Sequence, residues 1–276
     1  FYLFTYIMTS ILFIGDFGTG NNGQYLVADL LKHLIHKFNC KFILGLGDNI
    51  YPDGVSTDKD PQFFDKFEKP YIDLPEHIKF FHVLGNHDYH IKTSPLNQIK
   101  YTHISNRWVM PHNFYCFRKR FKKVPVEFIG IDTNLSKMKN RKLQEQWILN
   151  TIYESKARWI IVFGHHPWKS FGSHGDCDEE LDKLYNKINN TNKVDLILSG
   201  HDHDKQHIYI PDKPNMIVCG VGSETRNTIR FFNNKELKYY SPTLGCGMID
   251  FYKNNMKIRF YDCDGEVEYS FLINKI

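Results

Sequence analysis

Seven side chains with metal-binding chemistry stand at five places along this sequence: Asp16, Asp48 with Tyr51, Asn86, His165, and His201 with His203. They offer carboxylate, amide and phenol oxygens and imidazole nitrogen, with no thiolate among them, a mixture that suits iron, zinc or manganese. Two cations about 4 Å apart need a shared anion to offset their repulsion, and Asp48 is the natural bridge. Tyr51, three residues after Asp48, supplies a hard anionic oxygen once ionised, which favours ferric iron over softer divalent ions. Singly, each residue has a blander reading. An Asp after a strand is usually a turn or cap residue, Asn86-His87-Asp88 would pass as a polar turn, Tyr51 as a rim aromatic, and His201 and His203 as one face of a surface strand. Jointly these readings are hard to sustain, because all five segments repeat one pattern.

That pattern belongs to the elements that must carry the residues. Short apolar runs at 11–14, 42–46, 80–84, 159–163 and 196–198 lead through a small residue into Gly15-Asp16, Gly47-Asp48-Asn49, Gly85-Asn86-His87-Asp88, Gly164-His165-His166 and Ser199-Gly200-His201-Asp202-His203. Apolar runs bounded by glycine read as buried strands, and ligands of open α/β sheets bind beyond the carboxyl ends of such strands. Helical spacing appears in Val27, Leu30, Leu31, Leu34, Ile35 and Phe38, in Leu181, Leu184, Tyr185 and Ile188, and over 140–152. After Val194 the chain reads mainly as strand and turn, at 216–219, 248–252, 256–261 and 269–273, with hairpin turns at Asn254-Asn255 and Asp264-Gly265. The sum predicts one domain, with two packed sheets and helices on the outside.

Composition fits that picture. The 276 residues are 42% hydrophobic and 24% charged, which excludes fibrous and disordered classes and provides a substantial core. The net charge of +4 is spread through the chain. Arg118-Lys119-Arg120 and Lys122-Lys123 read as a solvated loop or edge strand rather than a nucleic-acid patch. The six cysteines contain no C-x-x-C spacing, so a zinc ribbon or thioredoxin motif is absent; Cys40, Cys116 and Cys219 read as buried thiols. The apolar start, 1–17, is shorter than the ~20 residues of a membrane span. It lacks a basic leader and a clear cleavage site, and 1–9 reads as an extension or leader remnant before a catalytic domain over 10–276.

Taken together, the five blocks resemble those of the metallophosphoesterases. Tyr51, Gly164-His165-His166-Pro167 and Gly200-His201-Asp202-His203 are similar to the small purple, or tartrate-resistant, acid phosphatases, over nearly the whole chain from about Ile11. The resemblance implies a four-layer α/β/β/α sandwich of two mixed sheets, the metallophosphoesterase fold. It implies ferric iron on Asp16, Tyr51, His203 and bridging Asp48, with a second divalent metal (iron, zinc or manganese) on Asp48, Asn86, His165 and His201. His87 and Asn86 would face the substrate phosphate, and His174 would protonate or orient the leaving group. His166 stands where the small enzymes usually carry tyrosine; it follows the plant-type pattern and adds a phosphate contact. Phe17 replaces a usual tryptophan. Cys177 matches the family's cysteine, but Asn134-Leu135-Ser136 stand where its partner would be, a departure from the family's disulfide and from the oxidising compartment it implies.

The function expected on these grounds is hydrolysis of phosphate monoesters by an acid phosphatase, with in-line attack of metal-bound hydroxide. A histidine acid works below its pKa, about 6.5 when unperturbed, so a requirement for protonated His174 gives an acidic optimum. The expected partner is the monoester alone, without nucleic acid or membrane span, for a monomer. By resemblance the location is secreted or lysosome-like. The rivals are a phosphodiesterase of the same superfamily, which typically lacks the pair Tyr51 and His174, and a scaffold that keeps the fold without catalysis, against which every ligand position is filled.

Overall fold

The computed structural model describes residues 10–230 and 234–275; the expected extension 1–9 lies outside the described residues. Two seven-stranded sheets form its centre. In the first, β1 (Ser10–Ile14), β2 (Ile43–Gly45), β3 (Phe80–His82) and β4 (Trp108–Val109) run parallel. On the other side of β1 the sheet continues antiparallel through β12 (Gly245–Phe251), β13 (Asn255–Asp262) and β14 (Val267–Asn274). In the second sheet β6 (Val124–Gly130), β7 (Trp159–Phe163), β8 (Leu196–Ser199) and β10 (Asn215–Cys219) are parallel. Antiparallel strands complete it: β5 (Tyr115–Phe121) beside β6, then β9 (Lys205–Ile208) and β11 (Leu237–Ser241) beyond β10. Both sheets are mixed, and their packing gives the sandwich that the sequence predicts.

Strand periodicity divides the apolar residues between two interfaces. On β7, Trp159, Ile161 and Phe163 join Phe13, Phe42 and Phe128 in the core between the sheets, while Ile160 and Val162 turn outward. The outward set is covered by Ile148 and Ile152 of α3 (Arg141–Glu154) and by Leu181, Leu184 and Ile188 of α4 (Glu179–Asn189). On the far face of the first sheet, α1 (Asn22–Phe38) buries Val27, Leu30, Leu31, Leu34 and Ile35. Side-chain oxygens of Asn21 and Asp178 cap α1 and α4 by accepting from Gln24 N and Leu181 N, which satisfies orphan donors of the first turn.

The basic run 118–120 lies on β5, at the edge of the second sheet. Charge on an edge strand blocks pairing with other chains, and Arg118 is bonded to Glu127 of β6. Elements that go beyond the sequence reading include α2 (Ser94–Tyr101) and the strands β4, β9 and β11. All six cysteines are free, and Cys116 is exposed on β5 rather than buried. It occupies an outward position of an edge strand, where an adjacent apolar residue carries no burial information. Among the described residues no helix is long and apolar enough to cross a membrane.

Candidate metal centre

The loops after β1, β2 and β3 carry Asp16, Asp48 with Tyr51, and Asn86; those after β7 and β8 carry His165, His201 and His203. The carboxyl ends of parallel strands from both sheets therefore meet at one place. The meeting is close: a Cβ on Gly15 would lie 3.0 Å from Gly200 Cα, and one on Gly85 would lie 2.1 Å from Asp48 Oδ1. Glycine is required where these loops touch. Three of the candidate ligands pay in backbone conformation, with φ of 58° at Asp16, 52° at Asp48 and 73° at His201. Left-handed conformations of non-glycine residues cost about 1–3 kcal/mol each and cluster at functional sites. Here they are pinned by Asp16 N donating to Gly47 O at 3.0 Å and His201 N donating to Asp16 Oδ2 at 2.8 Å.

All seven candidate ligands converge, in two groups that share Asp48. Tyr51 OH lies 3.0 Å from Asp16 Oδ1, 3.0 Å from Asp48 Oδ2 and 3.2 Å from His203 Nε2. His165 Nε2 lies 3.0 Å from Asn86 Oδ1, 3.2 Å from His201 Nδ1 and 3.5 Å from Asp48 Oδ2. His165 Nδ1 faces Leu46 O at 2.9 Å, and a carbonyl can only accept, so the proton sits on Nδ1. The Nε2 lone pair then points at an amide oxygen, an imidazole nitrogen and a carboxylate. Such contacts need a proton or a metal cation between them, and the donor set fits a metal ion.

The electrostatics agree. Burial lowers the proton affinity of His165, but the carboxylates of Asp48 and Asp16 outweigh it and raise its pKa. Burial, then Asp16 and Asp48, push the Tyr51 phenol well above its ordinary value, so ionisation there requires a strong cation. Burial, with the surrounding histidines, lowers the pKa of His201 and keeps its ring neutral and able to ligate.

Asp88, in sequence only a member of the Gly-Asn-His-Asp block, is the clamp of these loops. Its carboxylate accepts from Asn49 N at 3.1 Å, Gly85 N at 2.8 Å and Gln98 Nε2 at 2.8 Å. Burial and the nearby Asp48 charge raise its pKa to about 7.

Three further histidines face the centre. His87 N donates to Asp48 Oδ1 at 2.9 Å, and its Nδ1 meets Pro52 O at 2.5 Å, which leaves Nε2 free, 4.0 Å from Asp48 Oδ2. His166 is held through Thr133 Oγ1, 2.7 Å from its Nδ1, and its ring lies 4.5 Å from that of His201. Ligand atoms of His165, His166 and His201 lie within 4.8 Å of one another, so His166 is also within reach of a cation. The ring of His174 lies 4.2 Å from that of His201. Asp202, between the two terminal histidines, holds it: Oδ1 accepts from His174 N and Nδ1, both at 2.9 Å, and from Ser173 Oγ at 3.1 Å. The sequence motif names Asp202 but gives no sign of this task. A cavity of about 570 Å³ adjoins Asn86 and His166 and is lined also by Leu135, Leu181 and the free Cys177.

Two sheets whose strand ends supply Asp, Asn and His to one centre define a calcineurin-like phosphoesterase. Residues 9–205 match the Calcineurin-like phosphoesterase family, and the chain belongs to it, among its purple acid phosphatases. Purple acid phosphatase 17 of Arabidopsis thaliana is 30% identical over 286 residues, covering 96% of this chain and 84% of that protein. Tartrate-resistant acid phosphatase type 5 of Sus scrofa is 27% identical over 287 residues, covering 92% and 83%. Among solved structures, GAP50, described as the anchor in the inner membrane complex of Plasmodium, superposes with a TM-score of 0.87 at 25% identity, covering 98% of this chain and 89% of that one.

Proposed function

We propose that this chain is an acid phosphatase that hydrolyses phosphate monoesters at a two-cation centre. The observation that carries the reading is the convergence of seven donors in two groups on Asp48 Oδ2. Asp16, Tyr51, His203 and Asp48 would hold ferric iron, and Asp48, Asn86, His165 and His201 a divalent iron, zinc or manganese. When bound, such a pair polarises the phosphoryl oxygens and lowers the pKa of a water that attacks phosphorus in line. The chain's own groups do the rest. His87 and His166 meet charge on the phosphoryl oxygens from two sides. Asp202 fixes the His174 loop, and His174 gives a proton to the leaving oxygen as its bond to phosphorus breaks. The products are an alcohol and inorganic phosphate.

The fold match to GAP50 favours a second reading, a non-catalytic anchor. Ligand residues held in left-handed conformations weigh against it, since an idle centre would have no reason to keep them. Purified protein loaded with iron and zinc decides. Two metals per chain with turnover of phenyl phosphate, and little of bis(p-nitrophenyl) phosphate, is the expected result. Bound metal without hydrolysis of either supports the anchor, and preference for the diester moves the chain to the phosphodiesterases.

A further inference from the structure

Arg226 lies in the exposed segment after β10, far in sequence from every motif above. Its backbone is nonetheless tied to the centre: Arg226 N donates to the carbonyl of His203 at 2.8 Å, and Tyr240 OH donates to Arg226 O at 3.4 Å. The guanidinium reaches across to His174, with Nη1 3.2 Å from Nε2. Since His174 Nδ1 is bonded to the Asp202 carboxylate, Nε2 is the accepting nitrogen. One of five guanidinium N–H donors thus meets that nitrogen. Among the described residues no carboxylate pairs with Arg226; Glu224, in the same segment, accepts from Asn21 instead. Arg230 braces the same loop, its Nη2 donating to Ser173 O at 2.5 Å.

An exposed guanidinium with no carboxylate partner among the described residues, held beside a centre built for cations, is available to an incoming anion. The transferred phosphoryl group belongs to His87, His166 and the cations. Arg226 stands instead beyond His174, on the side of the leaving group. We propose that Arg226 selects substrates whose leaving group carries its own anionic group, a carboxylate or a second phosphoryl, within a few bonds of the scissile oxygen. The planar fork of arginine suits either anion in a bidentate contact. In moving onto that anion the guanidinium frees Nε2 of His174 to take up a proton from solvent and pass it to the leaving oxygen. This specificity rests on the phosphatase reading above.

A matched pair of substrates isolates the effect: 3-phosphoglycerate and glycerol 3-phosphate differ in the anion alone, and pyrophosphate tests the phosphoryl version. The metal-loaded wild type is expected to favour 3-phosphoglycerate in kcat/KM. Arg226→Gln lowers the ratio of the two kcat/KM values about ten-fold or more, and Arg226→Lys retains part of it. Added salt erodes the wild-type ratio and leaves that of the glutamine variant flat. A ratio unchanged by the substitution, with both substrates falling together, would show that Arg226 only braces His174 and would overturn the proposal. If pyrophosphate loses selectivity and 3-phosphoglycerate does not, the recognised anion is phosphoryl. Should metal-loaded protein turn over neither compound, their calorimetric affinities still read the preference and its loss in Arg226→Gln, so failure of the phosphatase reading is separable from failure of this one.

Discussion

Tyr51 OH lies 3.0 Å from two carboxylates with a single proton to donate, so it serves one of them unless a cation ionises it. If Tyr51 binds ferric iron, the loaded protein absorbs in the visible by tyrosinate charge transfer, and Tyr51→Phe, which removes one oxygen and keeps the ring, loses the band together with ferric affinity. A colourless, active, iron-free wild type would leave that assignment without support. Asp202 makes a second prediction. Asp202→Ala frees the loop that holds His174 and is expected to slow alkyl phosphates by up to about 10²–10⁴-fold. The loss on p-nitrophenyl phosphate is smaller, since its leaving group needs little protonation, and metal content is retained. Equal losses on both substrates would remove His174 from the acid role. The convergence of the seven candidate ligands was legible in sequence, because each follows a strand and carries a donor. The tasks of Asp88, Asp202 and Arg226 were not. Nothing local shows that an Asp inside a motif turns back to clamp a loop, or that an Arg in a distant segment meets His174.

At the scale of the element, the end of β3 carries a liability of its own. His82 is enclosed by Phe17, Phe67, Phe80 and Trp108, its ring 3.9 Å from that of Trp108, and neither ring nitrogen has a hydrogen-bond partner among the described residues. Burial holds its pKa well below 6.5. The unfolded chain therefore takes up a proton below that pH which the folded chain refuses. The stability concerned is complete above 6.5 and falls as pH falls, at a slope approaching about 1.4 kcal/mol per pH unit. His82→Phe removes this share, and its melting temperature, followed from pH 7 down to about 4.5, should decline less steeply than that of the wild type; identical slopes would show that His82 is protonated or hydrated in the fold. The strands that end in the motifs were readable because apolar runs bounded by glycine leave little choice. The short α2 and edge strand β11 were not, since eight and five residues are too few to show a period and their place is set by what they pack against.

The whole molecule depends on contacts between its two sheets, one of which is an ion pair. Lys205 of β9 is fully buried and bonded to Glu268 of β14, and it also donates to Tyr261 O at 3.2 Å. Glu268→Gln leaves an ammonium without its counter-ion and is expected to cost about 3–5 kcal/mol in urea unfolding, most of it recovered when Lys205→Met is added. If the double variant is no more stable than the single one, the pair is not what joins the sheets. The two-layer plan was visible in the order of the strands; pairing across the chain was not, because it is decided by partners far apart in sequence. Ile11 pairs with Ile249, so β1, which leads directly to Asp16, lacks a neighbour on one side until nearly the whole chain exists. At roughly 5–20 residues per second on the ribosome, that interval lasts on the order of ten seconds or more. Asp16 and Asp48 are made at its start, and the histidines that complete their groups, at 165, 201 and 203, only in its later part. The two groups around Asp48 can therefore close only once most of the chain has been made.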